Sequence, residues 1–356
     1  MKKLVVALIF VVFVLSLGTV GWLWHSLISS PMNENSVNEI VFEVKPGSSL
    51  TKVAYQLQES ALIRNAQAFV VYAQLTGQTG SMKVGEYSLN QAMTPQQIIN
   101  VIASGISIAR KFTVSEGLNI YEIGKIFEEK GLLTQDDFLK IVRDPETVRN
   151  LLGESAISLE GFLFPETYQY TKYTKPREII ELMVANALEA FQEVTAKDTL
   201  PGWTRNQIMT LASIIEKETG ATFERPLISS VFHNRLNKKM KLQTDPTIIY
   251  GIFDETGKFE IKISREDIRR PTRFNTYVID GLPPGPIANP GREAILAAVK
   301  PESSEYLFFV SQNDGTHIFS KSYQDHNKAV QRYQKNPKAR EGKSWRDLNR
   351  KKKSTN

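Results

Sequence analysis

Apolar residues form one unbroken run at the start of the chain. Residues 4–24 contain no charged side chain and directly follow Lys2 and Lys3. A helix needs about 20 apolar residues to cross the hydrocarbon core of a bilayer, so the run predicts a transmembrane helix within residues 1–25. The two lysines favour a cytoplasmic N-terminus, and a pair of tryptophans at the far end suits the bilayer surface. The rest of the chain is then expected outside the cytoplasm.

A cleaved signal peptide is the alternative interpretation of this N-terminus. The apolar core of a signal peptide usually spans about 7–15 residues and precedes a cleavage site of small residues. The run found here is longer, and no such site follows it. We therefore expect a retained anchor.

Residues 26–39 are polar and predict a linker, and the patterns after it predict a small α+β module over residues 40–109. Alternation of apolar and polar positions predicts its two strands, at residues 40–44 and 84–89. Helical spacing behind residues able to cap a helix predicts its three helices, at residues 48–58, 65–75 and 94–103. The cap of the last is a capping box formed by Thr94 and Gln97.

The second folded region, residues 110–335, is richer in helices. Helical spacing predicts amphipathic helices at residues 176–194, 204–218, 225–238 and 324–333 and a further helix starting near Arg292. Thr204 and Gln207 are predicted to form a capping box at the start of the second of these helices. An Asn-Asp-Gly sequence between two apolar runs predicts a hairpin of residues 306–310 with 317–320. The whole chain is therefore predicted to be an α+β protein with an N-terminal transmembrane helix, a small module and a larger helix-rich domain.

The net charge of +6 belongs to the C-terminal tail. Nine Lys or Arg and two Asp or Glu lie between Lys335 and Asn356, so the remainder of the chain is nearly neutral. Nucleic-acid-binding proteins usually carry their positive charge on a folded face, so we expect no nucleic-acid partner. Residues 336–356 are predicted to be disordered, either solvated or in contact with anionic lipid or polymer.

Composition and motifs exclude several kinds of site. The chain has no cysteine, which rules out disulfides, zinc thiolate sites and a cysteine nucleophile. It also has no G-x-S-x-G elbow, no phosphate-binding G-x-x-x-x-G-K-[ST] loop and no H-E-x-x-H motif. Its four histidines are too scattered to indicate a metal cluster: His25, His233, His317 and His326. Carboxylate chemistry remains, and we expect neither a metal nor another cofactor.

Glu218 is the strongest candidate for a catalytic acid. It continues the apolar stripe of Ile208, Leu211 and Ile215 into the last turn of the helix predicted at residues 204–218. Both apolar surroundings and the negative end of a helix raise the pKa of a carboxyl. A carboxyl that stays protonated near neutral pH is suited to protonate a glycosidic oxygen. Glu216, on the opposite flank, is the rival acid, and helix geometry alone prefers Glu218 only slightly.

Three later segments, at residues 242–247, 274–277 and 281–291, suit a polysaccharide ligand. Together they offer polar groups that form directed hydrogen bonds and flat apolar faces on which a sugar ring can lie. The position of Asp245 before Pro246 favours its interpretation as the N-cap of the helix that follows. Residues 281–291 are rich in proline and glycine and form either a rigid groove wall or a connector. The polar candidates for substrate binding are Gln243, Thr244, Asp245, Asn275, Thr276 and Tyr277.

These segments together carry a family resemblance. Residues 212–219 (Ala-Ser-Ile-Ile-Glu-Lys-Glu-Thr), 242–247 (Leu-Gln-Thr-Asp-Pro-Thr), 275–277 (Asn-Thr-Tyr) and 281–287 (Gly-Leu-Pro-Pro-Gly-Pro-Ile) stand in the order and spacing of the MltG (YceG-like) endolytic murein transglycosylases. Glu116-Gly117 and residues 160–168 (Glu-Gly-Phe-Leu-Phe-Pro-Glu-Thr-Tyr) match as well. With the anchor and the small module, the resemblance covers nearly the whole chain.

The resemblance implies that Glu218 is the catalytic glutamate and that residues 40–109 are LysM-like. It also brings Glu166 into the substrate-binding set. The implied activity is cleavage of the MurNAc–GlcNAc bond within nascent peptidoglycan strands, which leaves 1,6-anhydro-MurNAc ends and terminates strand elongation. The implied location is the bacterial cytoplasmic (inner) membrane, with the catalytic domain, residues 110–335, on the periplasmic side. The partners are then glycan strands, the membrane and cell-wall synthesis enzymes.

Two other functions stay open on the sequence alone. One is a hydrolytic muramidase, in which Asp245 acts as the base for a water molecule. The other is a membrane-anchored scaffold that binds murein without cleaving it.

Overall fold

The computed structural model describes residues 2–80, 82–153, 156–257 and 262–336. The chain forms two compact units. The first extends to Lys111 and also takes in residues 169–174, and the second comprises residues 112–168 and the chain from Lys175 onwards. The mixed, helix-rich α+β class with an N-terminal apolar helix is confirmed. Apart from Asn336, the predicted disordered tail lies outside the described residues.

The first unit begins with a long apolar helix and continues as the predicted small module. Helix α1 runs directly into a π-helical turn, His25–Ser29. Strands β1 and β2 pair antiparallel, with Glu39 opposite Asn90 and Val44 opposite Gly85. The elements are α1 (Lys2–Trp24), β1 (Glu39–Val44), α2 (Leu50–Glu59), α3 (Ala66–Leu75), β2 (Gly85–Asn90) and α4 (Pro95–Ser104).

Local capping explains where the helices of the module begin. The side chains of Ser49 and Asn65 accept hydrogen bonds from backbone N–H groups in the first turns of α2 and α3. The predicted capping box of Thr94 and Gln97 is present at the start of α4. Such caps satisfy donors that the helix itself leaves unpaired.

The linker predicted at residues 26–39 is wrong over its first residues. Ile28 is buried in the hydrophobic core of the module together with Phe69 and Tyr87. Arg64 donates to the carbonyl groups of Ser26 (3.2 Å) and Ser30 (2.9 Å). The segment is polar on average, which led to the linker prediction, but it contains two adjacent apolar residues, Leu27 and Ile28. These two residues pack with the module and so join it to the end of α1. One helix in the described part of the chain, ending in this turn, is long and apolar enough to cross a membrane.

The second unit is built mainly from helices. Strand β3 pairs with β4, and β5 pairs with β6 as the predicted hairpin, in which Asn313 and Gly315 adopt positive φ angles. The elements are β3 (Arg110–Thr113), α5 (Ile120–Glu129), α6 (Gln135–Arg143), α7 (Pro145–Leu152), β4 (Thr167–Tyr170), α8 (Pro176–Thr195), α9 (Arg205–Glu218), α10 (Arg225–Asn237), α11 (Asp245–Thr256), α12 (Arg265–Arg269), α13 (Arg292–Val299), β5 (Phe308–Ser311), β6 (His317–Ser320) and α14 (Tyr323–Val330).

Helix α9 lies at the centre of the second unit, packed against α10, α11 and α13. Its predicted capping box of Thr204 and Gln207 is present. Every residue from Ile208 to Ile215 is buried, so the helix is enclosed on all sides there. The sequence predicted one apolar stripe, because Thr210 and Ser213 are polar residue types. Both hydroxyls instead donate to backbone carbonyls within the helix, at 2.6 and 2.7 Å, so they are buried at little cost.

Glu160 connects three parts of the second unit. Its carboxyl is 1% exposed and accepts hydrogen bonds from Ile120 N (3.0 Å), Tyr250 Oη (2.8 Å) and Asn289 Nδ2 (3.1 Å). These donors belong to α5, to α11 and to the segment that precedes α13. The carboxyl therefore fixes α11, the helix that begins at Asp245, against its neighbours.

We expect Glu160→Ala to destabilise the second unit by roughly 3 kcal/mol or more, because it leaves three buried donors without an acceptor. Thermal unfolding of the full-length protein in detergent measures the loss. The matched control is Glu166→Ala, since Glu166 makes an exposed hydrogen bond to Asn186 and should change stability by about 0.5 kcal/mol or less. Equal unfolding temperatures for the two variants would contradict the role given to Glu160.

Candidate active site

Glu218 is the last residue of α9, and its carboxyl faces a cleft. The helix ends there because Thr219 takes an extended conformation, with φ −140° and ψ 138°. The predicted end of this helix at residue 218 is therefore confirmed. Thr219 is buried, and its hydroxyl accepts a hydrogen bond from Ala221 N at 2.9 Å. The turn after the helix is thus fixed, and so is the position of Glu218.

The hydroxyl of Thr244 donates a hydrogen bond to Glu218 Oε1. Thr244 is in turn held by Thr276, whose Oγ1 accepts from Thr244 N at 3.0 Å. Gln243 N donates to Thr276 O at 3.2 Å. Two loops that are distant in sequence, around residues 243 and 276, therefore join beside the acid.

Burial raises the pKa of Glu218 to about 7, from an ordinary value of 4.5. The Thr244 hydroxyl and the positive charge of Arg235 act in the opposite direction, and the negative charge of Asp245 adds to the rise. Removal of water from a carboxyl penalises its charged form, and here this effect dominates. Glu218 is therefore a carboxyl that is substantially protonated at neutral pH.

Glu216, the rival acid, is part of a buried ion pair. Its Oε1 lies 2.6 Å from the guanidinium of Arg225, and both side chains are almost fully buried, at 6% and 5% exposure. Its Oε2 accepts a hydrogen bond from Gly291 N at 3.0 Å. Both carboxylate oxygens are therefore already occupied, and Glu216 is a structural residue that ties α9 to α10 and to the start of α13.

The cleft beside Glu218 has a volume of about 500 Å³. One wall is polar and contains the predicted residues Gln243, Asp245 and Tyr277. A second wall is largely aromatic and comes from β5 and α14. The lining residues are Glu218, Arg235, Leu242, Gln243, Asp245, Tyr277, Phe308, Phe309, Val310, Tyr323, His326 and Val330. A groove with a polar and an aromatic side is suited to sugars, which present hydroxyl edges and flat apolar faces.

Three predicted substrate-binding residues face this cleft. Asp245 Oδ1 accepts a hydrogen bond from Tyr277 Oη at 2.7 Å, which joins the two polar loops at the cleft surface. Gln243 is exposed and has a positive φ of 50°, a conformation that costs a residue other than glycine free energy and often occurs at functional sites. Asp245 is the first residue of α11 and does not cap it with its side chain, so its interpretation as an N-cap is wrong.

The structure does not place three other predicted residues at the surface of the cleft. Thr244, Asn275 and Thr276 are at most 2% exposed. Asn275 Nδ2 donates to the carbonyls of Asp267, Ile268 and Arg270, and its Oδ1 accepts from Tyr277 N. Asn275 therefore shapes the loop that carries Tyr277.

Glu166 and the proline-rich loop also lie elsewhere. Glu166 is exposed before β4 and is not among the described residues that line the Glu218 cleft. The loop at residues 281–291 packs along α9, where Ile287 N donates to Ser213 Oγ at 3.0 Å. Its first residues line a separate recess with Trp203. The prediction that this loop forms a wall of the catalytic groove is therefore wrong for the Glu218 cleft.

The second wall of the cleft was not predicted from the sequence. Arg235 also lines the cleft, donates to the carbonyls of Leu242 (2.8 Å) and Leu307 (2.7 Å), and holds its guanidinium 5.2 Å from the ring centre of Phe308. His326 stacks on Phe308, with ring centres 5.2 Å apart and an angle of 24°. The aromatic pattern of β5 was visible in the sequence, but nothing local indicated that it would face Glu218.

Known proteins share this architecture. A family model described as the YceG-like family matches residues 42–332. The chain belongs to the YceG-like family. The resemblance noted from its motifs is thereby confirmed. In the described part of this YceG-like chain, no group of three or more histidine, aspartate or glutamate side chains is placed to hold a metal ion.

Curated YceG-like relatives carry one common name. The endolytic murein transglycosylase of Bacillus subtilis (strain 168) is 31% identical over 331 residues, which cover 88% of this chain and 90% of the relative. The endolytic murein transglycosylase of Streptococcus pneumoniae serotype 2 (strain D39) is 26% identical over 359 residues, 90% of this chain but 64% of the relative. A crystal structure of a yceG-like protein from Listeria monocytogenes is 32% identical, has a TM-score of 0.56, and matches over 82% of this chain and 99% of the crystallised one.

The two acids of α9 should respond differently to the same substitution. We expect Glu216→Gln to destabilise the protein by about 3 kcal/mol, because it leaves the buried Arg225 without its close counter-charge. Glu218→Gln should leave stability at pH 8 unchanged or higher. The folded-state pKa of Glu218 exceeds 4.5, so its ionisation lowers stability as pH rises towards about 7, and a glutamine side chain has no such ionisation.

Thermal unfolding of both variants and of the wild type at pH 8 measures this difference. A destabilised Glu218→Gln beside a fully stable Glu216→Gln would reverse the two assignments.

Proposed function

We propose that this protein is a membrane-anchored lytic transglycosylase that cleaves peptidoglycan glycan strands with Glu218 as its single acid and base. The observation that carries the proposal is a carboxyl with a raised pKa at the surface of a cleft with one polar and one aromatic wall. Membership of the YceG-like family and the names of its curated relatives point to the same activity.

In the first step, Glu218 gives its proton to the glycosidic oxygen between MurNAc and GlcNAc. The bond between this oxygen and C1 of MurNAc then breaks, and GlcNAc leaves with the proton as a free hydroxyl. A pKa near 7 keeps a large share of the acid protonated at neutral pH, as general-acid catalysis requires. The Thr244 hydroxyl, which donates to Glu218 Oε1, then stabilises the carboxylate that forms.

In the second step, the Glu218 carboxylate takes the proton from the C6 hydroxyl of the same MurNAc. The C6 oxygen bonds to C1 and closes a 1,6-anhydro ring, and Glu218 regains its starting state. The nucleophile belongs to the substrate, so the step needs no second catalytic carboxylate, unlike hydrolysis by most glycosidases. Gln243, Asp245 and Tyr277 orient the strand from the polar wall, because their side chains line the cleft.

The location of the chemistry follows from the anchor. Helix α1 is long and apolar enough to cross a bilayer, and the lysines before it favour a cytoplasmic N-terminus. The catalytic unit then works outside the cytoplasmic membrane, close to where new strands emerge. Cleavage within such strands would end their elongation, and the small module, which we infer to be LysM-like, would hold glycan or space the site from the membrane. Cell-wall synthesis enzymes are the expected neighbours.

Asp245 is the reason to test for a hydrolytic muramidase. It lines the same cleft as Glu218, and its charge raises the pKa of that acid, which makes it the candidate for a second carboxylate that acts on water. Its hydrogen bond from Tyr277 supports a positioning role instead. A scaffold that binds murein without cleaving it is the remaining alternative and predicts no products at all.

Digestion of purified glycan strands distinguishes these functions. We expect Glu218→Gln to lower turnover by about 10²–10⁴-fold, the usual contribution of a general acid or base, without loss of the fold. Asp245→Asn should still release anhydro ends, which mass spectrometry identifies because they are lighter by one water than hydrolysed ends. Hydrolysed ends from the wild type that disappear in Asp245→Asn would establish the muramidase.

The pH dependence should report the environment of Glu218. Because the acid must be protonated before cleavage, we expect kcat/KM to fall about tenfold per pH unit above a pKa of about 7. Asp245→Asn removes a negative charge and should move this limb to lower pH, whereas Thr244→Val removes a donor to the carboxylate and should move it to higher pH. Shifts in the same direction for both variants would exclude this origin of the limb.

A further inference from the structure

Helix α1 and the small module meet without a flexible joint. The apolar helix continues into the turn His25–Ser29, whose Ile28 is buried in the module core. Arg64, just before α3, donates to the carbonyl groups of Ser26, within this turn, and Ser30, directly after it. The ring of Trp24, the last residue of α1, lies 6.0 Å from the ring of Tyr72 in α3. The end of α1 therefore fixes the position of α3.

This contact puts α3 at the depth of the bilayer surface if α1 crosses the membrane. Tryptophan at the end of a transmembrane helix lies at the level of the lipid headgroups. Tyr72 touches that tryptophan, so side chains within one turn of Tyr72 are held at a similar depth. The outer face of α3 next to Tyr72 consists of Gln67, Val71, Gln74 and Leu75.

The exposed surface of α3 is apolar or uncharged, which is compatible with the boundary region of a bilayer. Leu75 is 73% exposed and Val71 is 46% exposed. They stand four positions apart, so they project from the same face of the helix. No Asp, Glu, Lys or Arg stands between Arg64 and Lys83, so insertion of this face removes no charge from water.

We propose that this face of α3, formed by Gln67, Val71, Gln74 and Leu75, is a lipid-contact surface that lies in the headgroup and upper acyl region of the membrane. The proposal rests on the membrane anchoring that is part of the proposed function. Two apolar side chains alone are too few to recruit a protein from solution. Because α1 already tethers the module to the bilayer, insertion of these side chains is an intramolecular step. The resulting high effective concentration of the module at the membrane allows a small patch to bind lipid. The contact fixes the tilt of the module against the bilayer.

The absence of cysteine from the chain allows single-cysteine labelling of the full-length protein in nanodiscs. An environment-sensitive NBD dye is attached at Leu75→Cys, and its quenching by lipids with a headgroup nitroxide is measured. The matched control is Val41→Cys on β1, which is 64% exposed. Val41 shares its strand face with Glu39 and Glu43, and these charges keep it in water.

We expect quenching at Leu75 to exceed that at Val41 by roughly twofold or more, since interfacial helices insert their apolar face about 5–10 Å into the boundary. Adding Val71→Glu to the Leu75→Cys protein places a carboxylate on the same face and should reduce its quenching towards the Val41 level. Both sites are exposed, so the substitutions leave the core of the module intact.

A third site separates failure of this surface from failure of the anchor. Val12→Cys lies in α1 and is 59% exposed, so nitroxides placed deep in the acyl chains should quench it. Equal quenching at Leu75 and Val41 beside strong quenching at Val12 would overturn the lipid-contact surface and leave the anchor standing. Absence of quenching at Val12 would overturn both, while the chemistry of Glu218 would remain a separate question for the digestion assay.

Discussion

Removal of water from one carboxyl is the physical effect on which the site depends. Glu218 stands at the end of a helix whose preceding turns are buried on every side, and this burial raises its pKa to about 7. The surrounding polar groups mostly oppose the rise, so they adjust a pKa that burial sets. The capping box at Thr204, the packing of α9 and the extended residue after Glu218 all serve to hold the acid at that depth.

The contrast between Glu216 and Glu218 shows how one helix supports two roles. Two residues apart, the acids point in different directions, and what each meets decides its chemistry. Glu216 meets Arg225 and a backbone N–H group and is fully engaged. Glu218 accepts a hydrogen bond from the Thr244 hydroxyl and faces the cleft, so its carboxyl can still exchange a proton. The contacts in the structure therefore distinguish the two acids, whereas helical periodicity gave only a slight preference for Glu218.

Local signals were predictable from the sequence, and distant contacts were not. The capping boxes at Thr94 and Thr204 and the Asn-Asp-Gly hairpin formed as expected, because a few neighbouring residues determine them. Polarity suggested Asn275 as a ligand for sugar, but its amide is consumed by backbone carbonyls, and burial of this kind has no periodic signature. Arg235 and Phe308 reach the cleft through tertiary packing alone.

The two walls of the cleft belong to separate stretches of the chain. The acid and the polar wall come from residues 218–277, whereas the aromatic wall comes from β5 and α14, after residue 307. The shape of the cleft therefore depends on contacts that join these distant stretches, such as the hydrogen bonds from His317 to Glu224 that fix β6 to the turn before α10.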